Sequence, residues 1–510
     1  MSKLRLIAIA AACVAATSAQ ALTPAQVDNA RAVGTLKEVR IAGATALRLA
    51  IGAYAQSVCN AASFNVYFND AAGVNNRAYA CNLSQAVGNF GVGTPVLIYK
   101  RDQGGSGQGV NPLALGAAQA FMNVSGATCV ATANPSPSPD IQAPSFTCTP
   151  TAPIAADAGI SDEEPQLFQS AINLPTGTAA VDVSLLNSAP VVQSIFGLAV
   201  NKKLYRALQE AQGIIAPGAS LRDVPNNQDF WTAADIATIP TLSSAFVKSA
   251  LTGRLLGNAA VKRGWNAVIP PGVDANAAAK TINVCRRTEG SGTQAASNAF
   301  FLNNPCAGGA SVAPLSVPGS SGNYQQLATT AGAVLLRVQA APLVVIEASG
   351  TGDVERCLGS TVANANSVES AADGDGIGYG LGVISRENNP RPTVNGVVLD
   401  RGYRFVKIDG AEPTRAAAQR GDYGFVFEST FQWQNALADA DKVAFLTTLR
   451  GNIGRAAQLD RVDVDVQQGV MAAPNTYPGA WADLVGVDAK FGSRVARGTG
   501  NSCTALRIEK

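Results

Sequence analysis

Residues 281–301 read TINVCRRTEGSGTQAASNAFF, the most informative stretch of the chain. Thr281, Ile282 and Val284 make a β-prone run that leads into Arg286 and Arg287. A Gly-Ser-Gly-Thr loop follows at 290–293, then an Ala-rich, helix-prone segment carrying Phe300 and Phe301. Strand, basic residue, glycine loop and helix start together make an anion site. The first-turn N–H groups of a helix lack partners, and the helix dipole adds partial positive charge. Ser291 and Thr293 add hydroxyl donors, and Arg287 brings a planar fork that fits a tetrahedral oxyanion.

Two more loops follow the same pattern of strand, small-residue turn and helix start. Residues 37–55 give a strand, the turn Gly43-Ala44-Thr45, and a helix with Leu47, Ile51 and Tyr54 on one face. The strand at 96–101, VLIYKR, runs into Gly105-Ser106-Gly107. Each loop alone also reads as an ordinary helix N-cap; three in one chain favour a shared anion site. Residues 190–200 read as a buried crossover strand, 423–433 as a further β run, and 438–460 as helical. Apolar runs alternate with helical segments, which predicts an α/β fold. A Pro/Ser/Thr-rich stretch at about 124–156 reads as a surface insertion.

Asp162 carries a sharper expectation. An ionised carboxylate only accepts hydrogen bonds, so it can take one from a protonated phosphate oxygen and repels sulfate, which has no proton to offer. The run Asp162-Glu163-Glu164 also reads as a surface acidic turn. Phe230, Trp231 and Trp265 read as core rather than pocket lining, and Asp373-Gly374-Asp375-Gly376 as a turn rather than a calcium loop.

Composition excludes several classes. The 510-residue chain has no histidine, so a Ser-His-Asp triad, a Cys-His dyad and histidine-ligated metals are impossible. No enzymatic centre, cofactor or metal is predicted. Lys3 and Arg5, an apolar run from Leu6 to Ala16, and Ala19-Gln20-Ala21 read as a secretory leader cleaved after Ala21. The predicted location is therefore periplasmic or secreted. No later stretch is long and apolar enough to span a membrane. Of the 38 basic residues, Lys3 and Arg5 leave with the leader, which brings the rest level with the 36 acidic ones. No basic stripe marks a nucleic-acid binder.

Eight cysteines remain: Cys59, Cys81, Cys129, Cys148, Cys285, Cys306, Cys357 and Cys503. An even number in an exported chain predicts disulfides, and eight allow 105 pairings. Three pairs (59/81, 129/148 and 285/306) lie about 20 residues apart, which favours local pairing.

Several segments, in this order, resemble the phosphate-binding protein of the bacterial high-affinity phosphate ABC transporter. Ala42-Gly43-Ala44-Thr45 resembles its opening turn, and Gly105-Ser106-Gly107-Gln108-Gly109-Val110 its glycine-serine turn. Gly159-Ile160-Ser161-Asp162 is similar to its G-A-S-D segment, and residues 286–293, RRTEGSGT, to its arginine loop. Gly376-Ile377-Gly378-Tyr379 and Lys407-Ile408-Asp409-Gly410 resemble its second-lobe pattern. Glu289 stands where that family usually has Asp, and Gly107 where a second serine is common.

The resemblance implies a type II periplasmic-binding-protein fold, with two α/β lobes and a hinge of two crossover strands. Lobe 1 would span 22–197, with 424–510 returning to it, and lobe 2 would span 198–423. Thr45, Ser106 and Asp162 would face Arg287, Ser291, Gly292 and Thr293 across inorganic phosphate, and an ABC transporter permease would be the partner. The alternative is a secreted or cell-surface structural or adhesion protein with a vestigial anion site.

Overall fold

The structure is a computed structural model that describes residues 21–510 apart from 71–72, 176, 227–230, 257–263, 315–323, 329–333, 341–342, 360–367, 369–373, 395, 464–467 and 498–500. The predicted leader up to Gln20, together with Phe230 and Asp373, lies outside the described residues.

The chain is mixed α/β, built on two sheets that share one strand. That strand, Leu186–Asn201, is the crossover expected at 190–200. Its first part pairs antiparallel with Val426–Gln434, which continues through Ala158–Ser161 to Lys37–Gly43 and Pro95–Arg101. Its last part, Phe196–Asn201, pairs with Tyr379–Ser385 on one side and Tyr403–Ile408 on the other. Tyr379–Ser385 continues to Ile282–Arg287 and then to Leu343–Ala348, both parallel. These strands are largely buried because both faces of each sheet are covered.

In the first sheet the faces are covered by the helices Arg48–Val58 and Ala440–Ile453 on one side and by Leu22, Val27, Phe121 and Met122 on the other. In the second, the helices Lys202–Ala211, Ser244–Leu251 and Gly292–Leu302 pack on one face and Thr351–Gly359 on the other. Trp265 is fully buried, as core. Trp231, also expected in the core, is only partly buried.

The 124–156 insertion is more ordered than a surface loop. Phe146–Cys148 pairs parallel with Asn65–Phe68 and so extends the first sheet, and Cys129–Cys148 closes the segment.

Cys59–Cys81 also forms as expected, but the expected Cys285–Cys306 pair does not. Alternation along Ile282–Arg287 explains this. Ile282 and Val284 face the helix Gly292–Leu302, whereas Cys285 points to the opposite face and bonds Cys357 on Thr351–Gly359. Cys306, beyond the end of Gly292–Leu302, bonds Cys503 of the C-terminal tail. Twenty-one residues of separation in sequence mean little once a strand turns one partner away.

Three glycines hold the turn after Pro95–Arg101 against the first sheet. A Cβ on Gly159 would lie 1.9 Å from the Gly109 carbonyl oxygen, and one on Gly43 would lie 2.0 Å from that of Ile160. Neither position admits a methyl group without backbone movement. Gly159→Ala is expected to cost about 2 kcal/mol of stability, within the range for overpacking a closed site. Urea denaturation checks this; an unshifted midpoint would mean the backbones are not packed this closely.

Candidate functional site

Six of the seven expected site residues come from three loops that meet between the sheets. On the first-sheet side, Ser106 begins a short 3₁₀ turn, Ser106–Gly109, and Asp162 follows the strand Ala158–Ser161. The Ser106 hydroxyl donates to Asp162 Oδ2 at 3.0 Å and accepts from the Asp162 N–H at 3.2 Å. Both residues are buried, so Asp162 is not part of an exposed acidic turn. Glu163 and Glu164 are buried with it.

On the second-sheet side, Ile282–Arg287 delivers Arg287, and the turn at Gly290 (φ 81°) leads into the cradle helix Gly292–Leu302 with Ser291 as N-cap. Arg287 donates Nη1–H to Thr351 Oγ1 at 3.1 Å and Nη2–H to the Ser349 carbonyl at 2.8 Å. Its Nε and the Ser291 hydroxyl are buried without a hydrogen-bond partner among the described residues. Buried polar atoms of this kind are rare and costly unless something binds them. Thr293 is buried in the first turn of the helix.

The two sides touch. The Gly107 N–H donates to the Gly290 carbonyl at 2.9 Å, and the Gly290 N–H donates to the Asn173 carbonyl at 2.9 Å. A Cβ on Gly292 would lie 2.1 Å from Asp162 Oδ2 and 2.4 Å from Ser106 Oγ. The absence of a side chain at Gly292 is therefore what lets the helix start approach the carboxylate. Thr45 stands apart: it is exposed, and its carbonyl accepts from the Arg48 N–H at 3.0 Å.

Sequence reasoning missed a second set of charges beside these loops. Lys100 is fully buried and donates to the Gly43 carbonyl at 3.1 Å and to Asp102. Arg48 lies 3.6 Å from the other Asp102 oxygen. The signal was present, since a lysine at the end of the apolar run VLIYKR needs a buried partner. Glu387 had no such signal.

The electrostatics follow from burial. Burial raises the Asp162 carboxyl above the usual aspartate range, against the pull of the Ser106 hydrogen bond and the Arg287 charge. Burial brings the Arg287 guanidinium down to about 10, opposed by Asp162, so it stays charged at neutral pH. Glu387 is pushed up to about 7, by burial first and then by Asp162, with Arg48 opposing. Glu164 is also raised to about 7 by burial, although Ser502 donates to it.

No protein-family model and no curated protein sequence matches this chain. Among solved structures, one similar chain is described as a candidate phosphate ABC transporter substrate-binding protein from Clostridium perfringens with bound phosphate. It is 12% identical, with a TM-score of 0.37, over 84% of this chain and 98% of that one. An ABC-type phosphate transport receptor from Vibrio cholerae is 11% identical, with a TM-score of 0.27, over 60% of this chain and 78% of that one. PstS from Borrelia burgdorferi is 10% identical, with a TM-score of 0.32, over 86% and 98%.

Glu164 and Glu387 titrate higher folded than unfolded, so proton binding favours the folded state. Their stabilisation is complete below the ordinary glutamate value of 4.5 and is lost as pH rises through about 7. The melting temperature is thus expected to be higher at about pH 5 than at about pH 8, and Glu164→Gln with Glu387→Gln should flatten that slope. Calorimetric scans at the two pH values check this, and a higher melting temperature at the alkaline end would contradict it.

Proposed function

We propose that this protein binds inorganic phosphate, or a similar tetrahedral oxyanion, between its two lobes, and does so as an exported solute-binding protein without altering the ligand. The observation that carries the reading is the buried, unspent pair Arg287 Nε and Ser291 Oγ beside the start of the cradle helix, facing Asp162 and Ser106. Arginine, a hydroxyl and first-turn N–H groups are oxyanion donors, whereas Asp162 accepts only from a ligand oxygen that carries a proton. Charged hydrogen bonds contribute about 1.5–3 kcal/mol each. Six or seven of them reach the roughly −8 kcal/mol of a micromolar site once ordering costs are subtracted.

In this proposal Thr45, Ser106 and Asp162 form one jaw, with residues 22–197 and 424–510, and Arg287, Ser291, Gly292 and Thr293 form the other, with 198–423. The protein acts in the periplasm or outside the cell and hands phosphate to an ABC transporter permease.

One observation favours the second reading, a secreted or surface structural protein with an idle anion site. Asp162 Oδ2 lies so close to Gly292 that the carboxylate itself takes up room at the helix start.

Titration calorimetry of the mature protein, shown free of co-purified ligand, separates the two. Phosphate is expected to bind and sulfate to bind far more weakly. Arg287→Ala should abolish phosphate binding, and Asp162→Asn should let sulfate in. Absence of heat with phosphate would discard the proposal, and unchanged affinity in Arg287→Ala would discard the role given to the arginine.

A further inference from the structure

The cradle helix is held at both ends by parts of the chain that belong to the other side of the cleft. Its first turn lies against Asp162 and Ser106. Beyond its last turn, Cys306 is bonded to Cys503, a link between positions 197 residues apart. The tail that carries Cys503 is anchored at the hinge. The Arg497 N–H donates to Glu428 Oε1 at 2.8 Å, and the Arg497 guanidinium donates to the Val426 carbonyl, both on the strand Val426–Gln434. Val495–Ala496 and Arg507–Ile508 close this tail into a hairpin. Near its tip, Ser502 donates to Glu164, two residues beyond Asp162.

Cradle helix, disulfide, tail hairpin, Glu164 and Asp162 therefore form a closed ring of contacts across the junction of the two sheets. The lobes cannot part widely while every link holds, and the only covalent link among them that bypasses the backbone is Cys306–Cys503.

That disulfide also differs from the other three in access. Cys503 is exposed and Cys306 partly exposed. Cys59–Cys81 and Cys285–Cys357 are buried at both ends, and Cys129–Cys148 joins a partly exposed cysteine to a fully buried one, so Cys503 alone of the eight is exposed. Attack on a disulfide requires a thiolate to reach a sulfur, so access selects the bond that breaks first.

We infer that Cys306–Cys503 is a thiol–disulfide exchange site for a dithiol reductant, and that its oxidised form limits how far the two lobes open. A thiolate of the reductant attacks the Cys503 sulfur, and Cys306 leaves as a thiolate and takes a proton. The second thiol of the reductant then closes its own ring disulfide and releases Cys503, which takes the other proton. Two electrons and two protons pass to the protein, and the reductant leaves as a cyclic disulfide. Reduced, the tail hairpin keeps only its hydrogen bonds, and the cradle helix swings with its own lobe. The inference does not require that the cleft bind phosphate.

The test uses the mature, oxidised, ligand-free protein. Under limiting dithiothreitol, alkylation followed by mass spectrometry should label Cys306 and Cys503 before the other six cysteines. Amide hydrogen exchange in loops 104–109 and 290–294 should then quicken by about tenfold, within the range of coupling between sites. The Cys306→Ser/Cys503→Ser variant should show the same rise without reductant. If that variant misfolds, wild-type protein reduced and alkylated at this pair carries the comparison. Labelling of another pair first, or equal loop exchange in the two redox states, overturns the inference. Neither readout depends on phosphate, so its failure and the failure of phosphate binding are separate results.

Discussion

One strand carries the architecture. Leu186–Asn201 spends its first residues on the hydrogen bonds of one sheet and its last on those of the other. Every backbone donor and acceptor in a buried strand must be paired, so the strand cannot leave either sheet without exposing a row of orphaned groups. The two sheets are thus fixed ends of a common element, joined at the few residues where the strand changes partners. Phe196 marks that place: its N–H donates to the Phe425 carbonyl while the residue itself pairs with Ser385, and Ile195 before it pairs with Val426. The loops that carry Ser106 and Gly290 lie on the two sides of this joint and touch across it.

Around that joint the charges come in matched sets. Lys100 and Arg48 share Asp102, and Arg286 is paired with Glu347, with 2.6 Å between Nη2 and Oε1. Arg287 is treated differently. It spends two donors on Thr351 and Ser349, neither of them charged, and keeps its guanidinium within reach of the field of Asp162. Neutral partners orient the side chain without cancelling its charge, which is the arrangement an anion requires.

The alternation of strands and helices, the crossover at 190–200 and the basic loop at 285–293 were legible because each depends on local pattern. Residues 282–287 show both the reach and the limit of such reading. Their β character was plain, but which face Cys285 would take depended on where Thr351–Gly359 packs, and that helix is coded seventy residues later. Asp162 illustrates the same limit. Its type suggested a proton-sensing acceptor, whereas its burial, shared with Glu163 and Glu164, was invisible because the residues that cover them come from distant segments. Lys100 could have been flagged from its apolar run, but Glu387 reaches the site only through the fold.

The glycine packing beneath Ser106 has a consequence for how the site can adapt. Gly43, Gly109 and Gly159 bring backbone against backbone, Gln432 Nε2 donates to the Gly109 carbonyl at 2.9 Å, and Lys100 holds the Gly43 carbonyl. Beneath Ser106 the floor is an anvil, with no side chain in these glycine contacts that can be shortened to make room. Were the proposed cleft to take a larger or differently shaped anion, the change would have to come from the side chains above this floor or from the opposing loop at 288–293. Diversity among descendants of this chain should gather there, while the three glycines stay fixed.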